Sequence, residues 1–147
     1  MFKNILVPTD GSKLSMKAVD KAIELAKSTG ATLTVLNVLA PYLMMPTGDG
    51  YVIEPISGVA WDKVMKQNAD AILAVVERRA AAKKFSVQLM TVSNGQPFDG
   101  IIAVAKKRKC DLIVMASHGR RGLTALLLGS ETTKVLTHST IPVLVCR

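Results

Sequence analysis

The sequence predicts a single α/β domain whose parallel sheet is covered by helices on both faces. Three observations predict it. Short β-rich apolar runs alternate with amphipathic helical stretches along the chain, in the order β-α-β-α-β-α-β-α-β, which implies right-handed crossovers. The run Leu112-Ile113-Val114-Met115 is continuously apolar rather than alternating, as a strand buried on both faces requires. With 147 residues, 49% of them apolar and 20% charged, the chain can bury one core without a disulfide or metal staple. No internal repeat or low-complexity tract argues for a second domain.

The elements follow in order. Lys3 to Thr9 is a short strand, and Asp10-Gly11-Ser12 supplies turn and cap residues before a helix that runs to Thr29. In that helix Leu14, Ala18, Val19, Ala22, Ile23 and Ala26 share one face, and Gly30 ends it by accepting a left-handed conformation. Ala31 to Leu39 is the second strand. Ala40 to Gly58, with its prolines, glycines and the pair Met44-Met45, reads as a long loop, a length typical of functional lids or disordered segments. A second helix is expected from Val59 to about Lys84, with Trp61, Val64, Met65, Ile72, Leu73 and Val76 on its buried side. Ser86 to Val92 is the third strand, Asn94-Gly95 a turn, and Pro97 suits the first turn of a short helix through Phe98, Ile101, Ile102 and Ala105. Asp111 to Ala116 is the fourth strand, Ser130 to about Ser139 the last helix, and Ile141 to Cys146 the last strand.

Composition excludes several classes. The net charge is +8, yet the basic residues are spread over helix faces, and only Lys106-Lys107-Arg108-Lys109 forms a tight run. Without an aromatic ladder or a nucleic-acid motif, nucleic acid is not an expected partner, although the basic balance would attract small anions such as nucleotides. No stretch approaches the ~18–20 apolar residues of a membrane span, and the N-terminal apolar run, broken by Pro8 and Asp10, is too short for a signal peptide. Cys110 and Cys146 show no ligand spacing and read as reduced thiols, so the expected location is the cytoplasm.

Ligands of open α/β sheets bind beyond the carboxyl ends of the strands, where strand order reverses. Two strand ends carry special residues: Pro8-Thr9-Asp10-Gly11-Ser12 after the first, and Met115-Ala116-Ser117-His118-Gly119 at the fourth. In a sheet of order 3-2-1-4-5 these strands are neighbours, and both signals meet in one crevice. The second signal continues to Gly129-Ser130 at the start of the last helix, where unpaired backbone N–H groups and the positive end of the dipole favour an anion. Glycine there admits a phosphate close to the backbone, and Ser130 is read both as helix cap and as hydroxyl donor.

With these residues in view, the chain resembles the universal stress protein family over nearly its whole length, from Asn4-Ile5-Leu6-Val7-Pro8-Thr9-Asp10-Gly11-Ser12 to Ile141-Pro142-Val143-Leu144-Val145. Its ATP-binding members carry Gly-x2-Gly-x9-Gly-Ser/Thr, and the corresponding segment here is Ala116-Ser117-His118-Gly119, nine residues, then Gly129-Ser130. The resemblance implies the order 3-2-1-4-5, a homodimer through antiparallel pairing of the last strand (Val143, Leu144, Val145), and a regulatory module that binds ATP, ADP or AMP, with or without magnesium. It implies Asp10 on the ribose or adenine side, Pro8 and Thr9 shaping the pocket, and Val38 packing on adenine. Met115 and Ala116 would approach sugar and phosphates, Gly119, Gly129 and Ser130 would hold phosphate, and Thr132 would add a hydroxyl.

Two departures bear on this. Ala116 stands where the family has its first motif glycine, which is harmless if its φ is negative and the sugar leaves room. Glu131 follows Ser130; in the first helical turn it suits the dipole, but turned toward the pocket it would repel phosphate. Both favour an alternative, a dimeric stress-related interaction protein that keeps the fold without binding nucleotide. A nucleotide-transferring enzyme on a related scaffold would need a Ser-Gly-Gly loop after the first strand, where this chain has Thr9-Asp10-Gly11-Ser12. No Walker lysine motif and no nucleophile elbow are present, so at most slow ATP hydrolysis is expected. Adjacent Ser117 and His118 make a poor nucleophile–base pair, and His118 is read as lining the pocket or fixing the loop. Arg120 and Arg121 suit a phosphate clamp or a solvated loop tip equally, and Met44 and Met45 suit a lid or a partner contact. His138, in a last helical turn, is read as a dipole partner.

Overall fold

The computed structural model describes residues 1–41, 58–119 and 128–147. Five strands and four helices alternate: β1 (Asn4–Pro8), α1 (Lys13–Thr29), β2 (Thr32–Leu39), α2 (Gly58–Ala82), β3 (Gln88–Ser93), α3 (Pro97–Lys107), β4 (Leu112–Ala116), α4 (Ser130–His138) and β5 (Val143–Cys146). The sheet order is β3-β2-β1-β4-β5 and every pairing is parallel, with Asn4 opposite Thr32, Ile5 opposite Leu112, Thr34 opposite Gln88 and Ile113 opposite Val143. Order therefore reverses between β1 and β4.

Period-two alternation distributes the strand side chains between two cores. Ile5, Val7, Leu33, Val35, Leu112, Val114 and Ala116 pack under α1 and α2. Leu6, Leu36, Ile113 and Met115 pack under α3 and α4 with Ile101, Ile102 and Val135. The two thiols fall in different layers, Cys146 in the first and Cys110 in the second, so they cannot pair. Burial raises both thiol pKa values and keeps them protonated.

Local chemistry explains the element ends. Ser12 caps α1 by accepting from the Ser15 N–H at 3.2 Å, and Asp10 Oδ1 accepts from the Ser12 N–H at 2.9 Å. Gly30 closes α1 at φ 68°, and Gly11 turns the chain at φ 77°, both in the left-handed region that glycine enters freely. At the opposite end of the sheet Asp111 accepts from the N–H groups of Lys3 and Asn4. Burial there would raise its pKa, but these bonds outweigh that and hold the carboxyl below its ordinary value.

Two expectations need correction. The last strand begins at Val143, two residues later than the pattern implied, because Ser139 and Ile141 engage each other in a turn. Of the side chains expected inside α2, Leu73 and Val76 are buried, but Val64 is 44% exposed and Trp61 is only half-buried. The indole N–H of Trp61 donates to the Ala40 carbonyl at 3.2 Å, so Trp61 fastens α2 to the end of β2 rather than filling the core. The lid residues Met44 and Met45, and the clamp candidates Arg120 and Arg121, lie outside the described residues.

Candidate functional site

The carboxyl ends of β2, β1 and β4 lie side by side, so their three successors span two strand spacings, about 10 Å. Backbone and side-chain bonds hold them in register. The Thr9 N–H donates to the Leu36 carbonyl at 2.8 Å, and Asn37 Nδ2 donates to the Thr9 carbonyl at 2.8 Å. The buried Thr9 hydroxyl sits 2.8 Å from Ser15 Oγ and accepts from the Gly11 N–H at 3.1 Å. Thr9 thus ties the β1–α1 turn together, and Asp10 stands at its rim, half-buried.

Asp10 also meets the end of β4. A methyl placed on Gly119 would stand 2.6 Å from Asp10 Oδ2, so the two strand ends are in direct contact and only a glycine leaves that carboxylate where it is. Gly129 arrives from the other side. Its N–H donates to the Ser117 carbonyl at 2.7 Å, and a methyl there would stand 3.0 Å from His118 Cα and 3.3 Å from the Ser117 oxygen. Gly129 has an ordinary extended φ of −62°, so glycine is needed for close backbone approach rather than for conformational freedom.

This approach aims α4 at the crevice. Gly129 is the N-cap and has no side chain with which to cap, while Ser130, exposed, is the first helical residue. The reading of Ser130 as cap is therefore corrected: Ser130 is exposed as the first helical residue, and the opening N–H groups of α4 receive no side-chain oxygen from their own N-cap. Thr132 is corrected as well. It is buried, and its hydroxyl donates to the Ala116 carbonyl at 2.9 Å, so it anchors the helix to β4 and has no proton to offer a phosphate.

Other predicted residues divide between contact and support. Val38, half-buried at the end of β2, lies on the α3–α4 side of the sheet beside Gly100, the same side as α4. Pro8, half-buried, ends β1. Met115 is 5% exposed within the α3–α4 core, which makes it a floor rather than a wall. His118 Nδ1 lies 3.2 Å from the buried hydroxyl of its chain neighbour Ser117.

Both departures from the glycine motif have structural answers. Ala116 is not among the residues of positive φ, and its methyl packs in the α1–α2 layer, away from α4. Glu131 turns away from the crevice: Oε2 accepts from the Phe98 N–H at 2.8 Å and Oε1 from Lys134 at 3.1 Å. Gln96, the N-cap of α3, makes no side-chain cap bond, so Glu131 supplies that cap from the neighbouring helix. Phe98 completes the joint, with Lys134 Nζ 5.3 Å from its ring centre and the His138 ring at 5.2 Å. Glu131→Ala is expected to lower stability by about 1 kcal/mol, the usual worth of a cap. Thermal unfolding checks it, and nucleotide affinity should not rise as it would if the carboxylate faced phosphate.

Sequence reasoning missed Asn37 and Glu131 as supports of the site. A lone asparagine inside the apolar run of β2 was a visible signal, since a buried amide needs a partner. Nothing local reveals that Glu131 reaches another helix.

The universal stress protein family profile matches residues 1–147. The chain belongs to the universal stress protein family. Universal stress protein YxiE of Bacillus subtilis is 38% identical over 151 residues, covering both chains in full. Among solved structures, the MJ0577 protein of Methanocaldococcus jannaschii superposes with a TM-score of 0.81 at 25% identity, over 99% of this chain and 95% of that one. A universal stress protein solved in complex with cAMP superposes with a TM-score of 0.73 at 26% identity, over 99% of this chain and 97% of that one. The family and the five-stranded fold agree with the reading of the sequence. Among the described residues of this universal stress protein no helix is long and apolar enough to cross a membrane.

Proposed function

We propose that this universal stress protein is a cytoplasmic regulatory module that binds an adenine nucleotide (ATP, ADP or AMP) across the carboxyl ends of β2, β1 and β4. The observation that carries the reading is the convergence of Asp10, Gly119 and Gly129 beside an N-cap without a side chain. The cAMP complex of a relative adds support for adenine nucleotides as the ligand class. In this reading Val38 offers an apolar surface to the base and Asp10 accepts from a ribose hydroxyl or the adenine amine. Phosphate lies on the opening N–H groups of α4, where the dipole favours an anion, and magnesium would accompany a triphosphate. The test is to denature the purified protein, assay released ATP, ADP and AMP, and titrate the stripped protein by calorimetry. Retained nucleotide or a binding isotherm is expected. No nucleotide and no heat at millimolar ATP would leave the nucleotide-free interaction protein as the function.

The second part of the reading is a homodimer through β5. That strand is the sheet edge, and an uncovered edge offers unpaired backbone groups to another chain. Leu144 is 45% exposed on it, between the half-buried Val143 and Val145. Leu144→Lys is expected to shift the protein to monomer in light scattering while its circular dichroism stays the same; an unchanged dimer would remove β5 from the interface.

A further inference from the structure

A second concave surface lies outside the crevice. Between α1 and α2 runs a groove of ≈ 660 Å³ lined by Gly11, Lys13, Met16, Lys17, Ala71, Ile72, Val75 and Arg79. Its floor is apolar (Met16, Ala71, Ile72, Val75), and Val64, 44% exposed, stands two turns earlier on the Ala71–Val75 face of α2. Helical periodicity marks this face for burial, yet Val64 stays exposed while Ala69, Leu73, Val76 and Ala80 are the buried residues of α2.

The rim is cationic. Arg79 is bound to Asp20 at 2.7 Å, but among the described residues no ion pair engages Lys13 or Lys17. The first turn of α1 holds no acidic residue, but Asp10 accepts from the Ser12 N–H just before it, so the cationic character of the rim rests on the two lysines. The two lysines are four residues apart and stand one turn above the other on the same face.

We propose that this groove docks an acidic amphipathic helix of a partner protein. An apolar trough between two helix ridges is filled by a third helix, which seats its own apolar stripe at an interaxial distance of about 8–10 Å. Carboxylates at i, i+4 on that helix meet Lys13 and Lys17. A second copy of this chain, itself at +8, brings the wrong charge. Neither lysine is assigned a contact in the proposed nucleotide crevice, although Gly11 of the β1–α1 turn borders the groove as well.

The experiment uses the full chain, isotopically labelled on Met and Ile methyls, and three synthetic helical peptides. One carries leucines at i, i+3, i+4 and i+7 flanked by glutamates, one has lysines in their place, and one is a scrambled acidic sequence. The acidic amphipathic peptide is expected to shift the Met16 and Ile72 methyl signals and to bind at least tenfold more tightly than the other two. The double variant K13E/K17E, whose changes are on exposed side chains and whose fold is checked by circular dichroism, is expected to lose that peptide and to prefer the lysine peptide. Equal binding of all three peptides, shifts confined to other methyls, or an unchanged preference in K13E/K17E would overturn the proposal. So would concentration-dependent shifts of the same methyls without peptide, which would mean that a second copy occupies the groove. Dodecanoate is the remaining probe: saturation of these methyls by dodecanoate with no response to peptide would also overturn it, in favour of a small anionic amphiphile.

Discussion

Gly129→Val is expected to abolish nucleotide retention and also to cost stability. A β-carbon at Gly129 stands 3.0 Å from His118 Cα and 3.3 Å from the Ser117 carbonyl oxygen, and both are backbone atoms that cannot rotate away. The helix must therefore back off, which stretches the 2.7 Å bond from the Gly129 N–H to Ser117 and the 2.9 Å bond from Thr132 to Ala116. Overpacking of this kind costs about 1–3 kcal/mol, a loss a domain of this size survives. The opening N–H groups of α4 move with the helix, and phosphate recognition depends on sub-ångström placement of such donors. Calorimetry should show no binding at millimolar ATP, while thermal unfolding stays cooperative with a midpoint lowered by several degrees. Wild-type affinity in a folded Gly129→Val protein would put the phosphate elsewhere.

Gly119→Ala is also expected to impair binding, but with little change in stability. The atom in its path is Asp10 Oδ2 at 2.6 Å, the far end of a side chain rather than backbone. Asp10 can swing aside, at the expense of its 2.9 Å bond from the Ser12 N–H, and Ser12 still caps α1 through Ser15. The carboxylate then no longer stands where it would meet a ribose hydroxyl or adenine amine. A bond to a charged group is worth about 1.5–3 kcal/mol, so affinity should fall roughly tenfold to a hundredfold. An unaltered dissociation constant would remove Asp10 from the site. The pair of variants separates two roles that share one motif: Gly129 seats a helix, whereas Gly119 makes room for a carboxylate.

The fold was legible because it depends on patterns that local residues carry. Alternation and continuous apolar runs located all five strands, Ser12 and Gly30 marked the ends of α1, and Pro97 marked the start of α3. Errors arose where packing overrides periodicity. Val64 and Trp61 lie on the apolar stripe of α2, but burial begins only later in the helix, at Ala69, Leu73, Val76 and Ala80.

For the candidate site, the sequence by itself determined which strand ends carry polar and glycine residues, and that Gly129 opens a helix. These are properties of short segments, and the whole-chain pattern identifies the family. Tertiary structure decided what each residue does there. Thr132 and Ser130 both carry hydroxyls in the first turn of α4, yet one donates to Ala116 across 16 positions and the other is left on the surface. Glu131, which the sequence set against phosphate, caps α3 from 33 positions away. A hydrogen bond is spent on whichever partner the packed helices and strands bring within about 3 Å, and that choice follows from how α3, α4 and β4 meet rather than from any residue's neighbours in the chain.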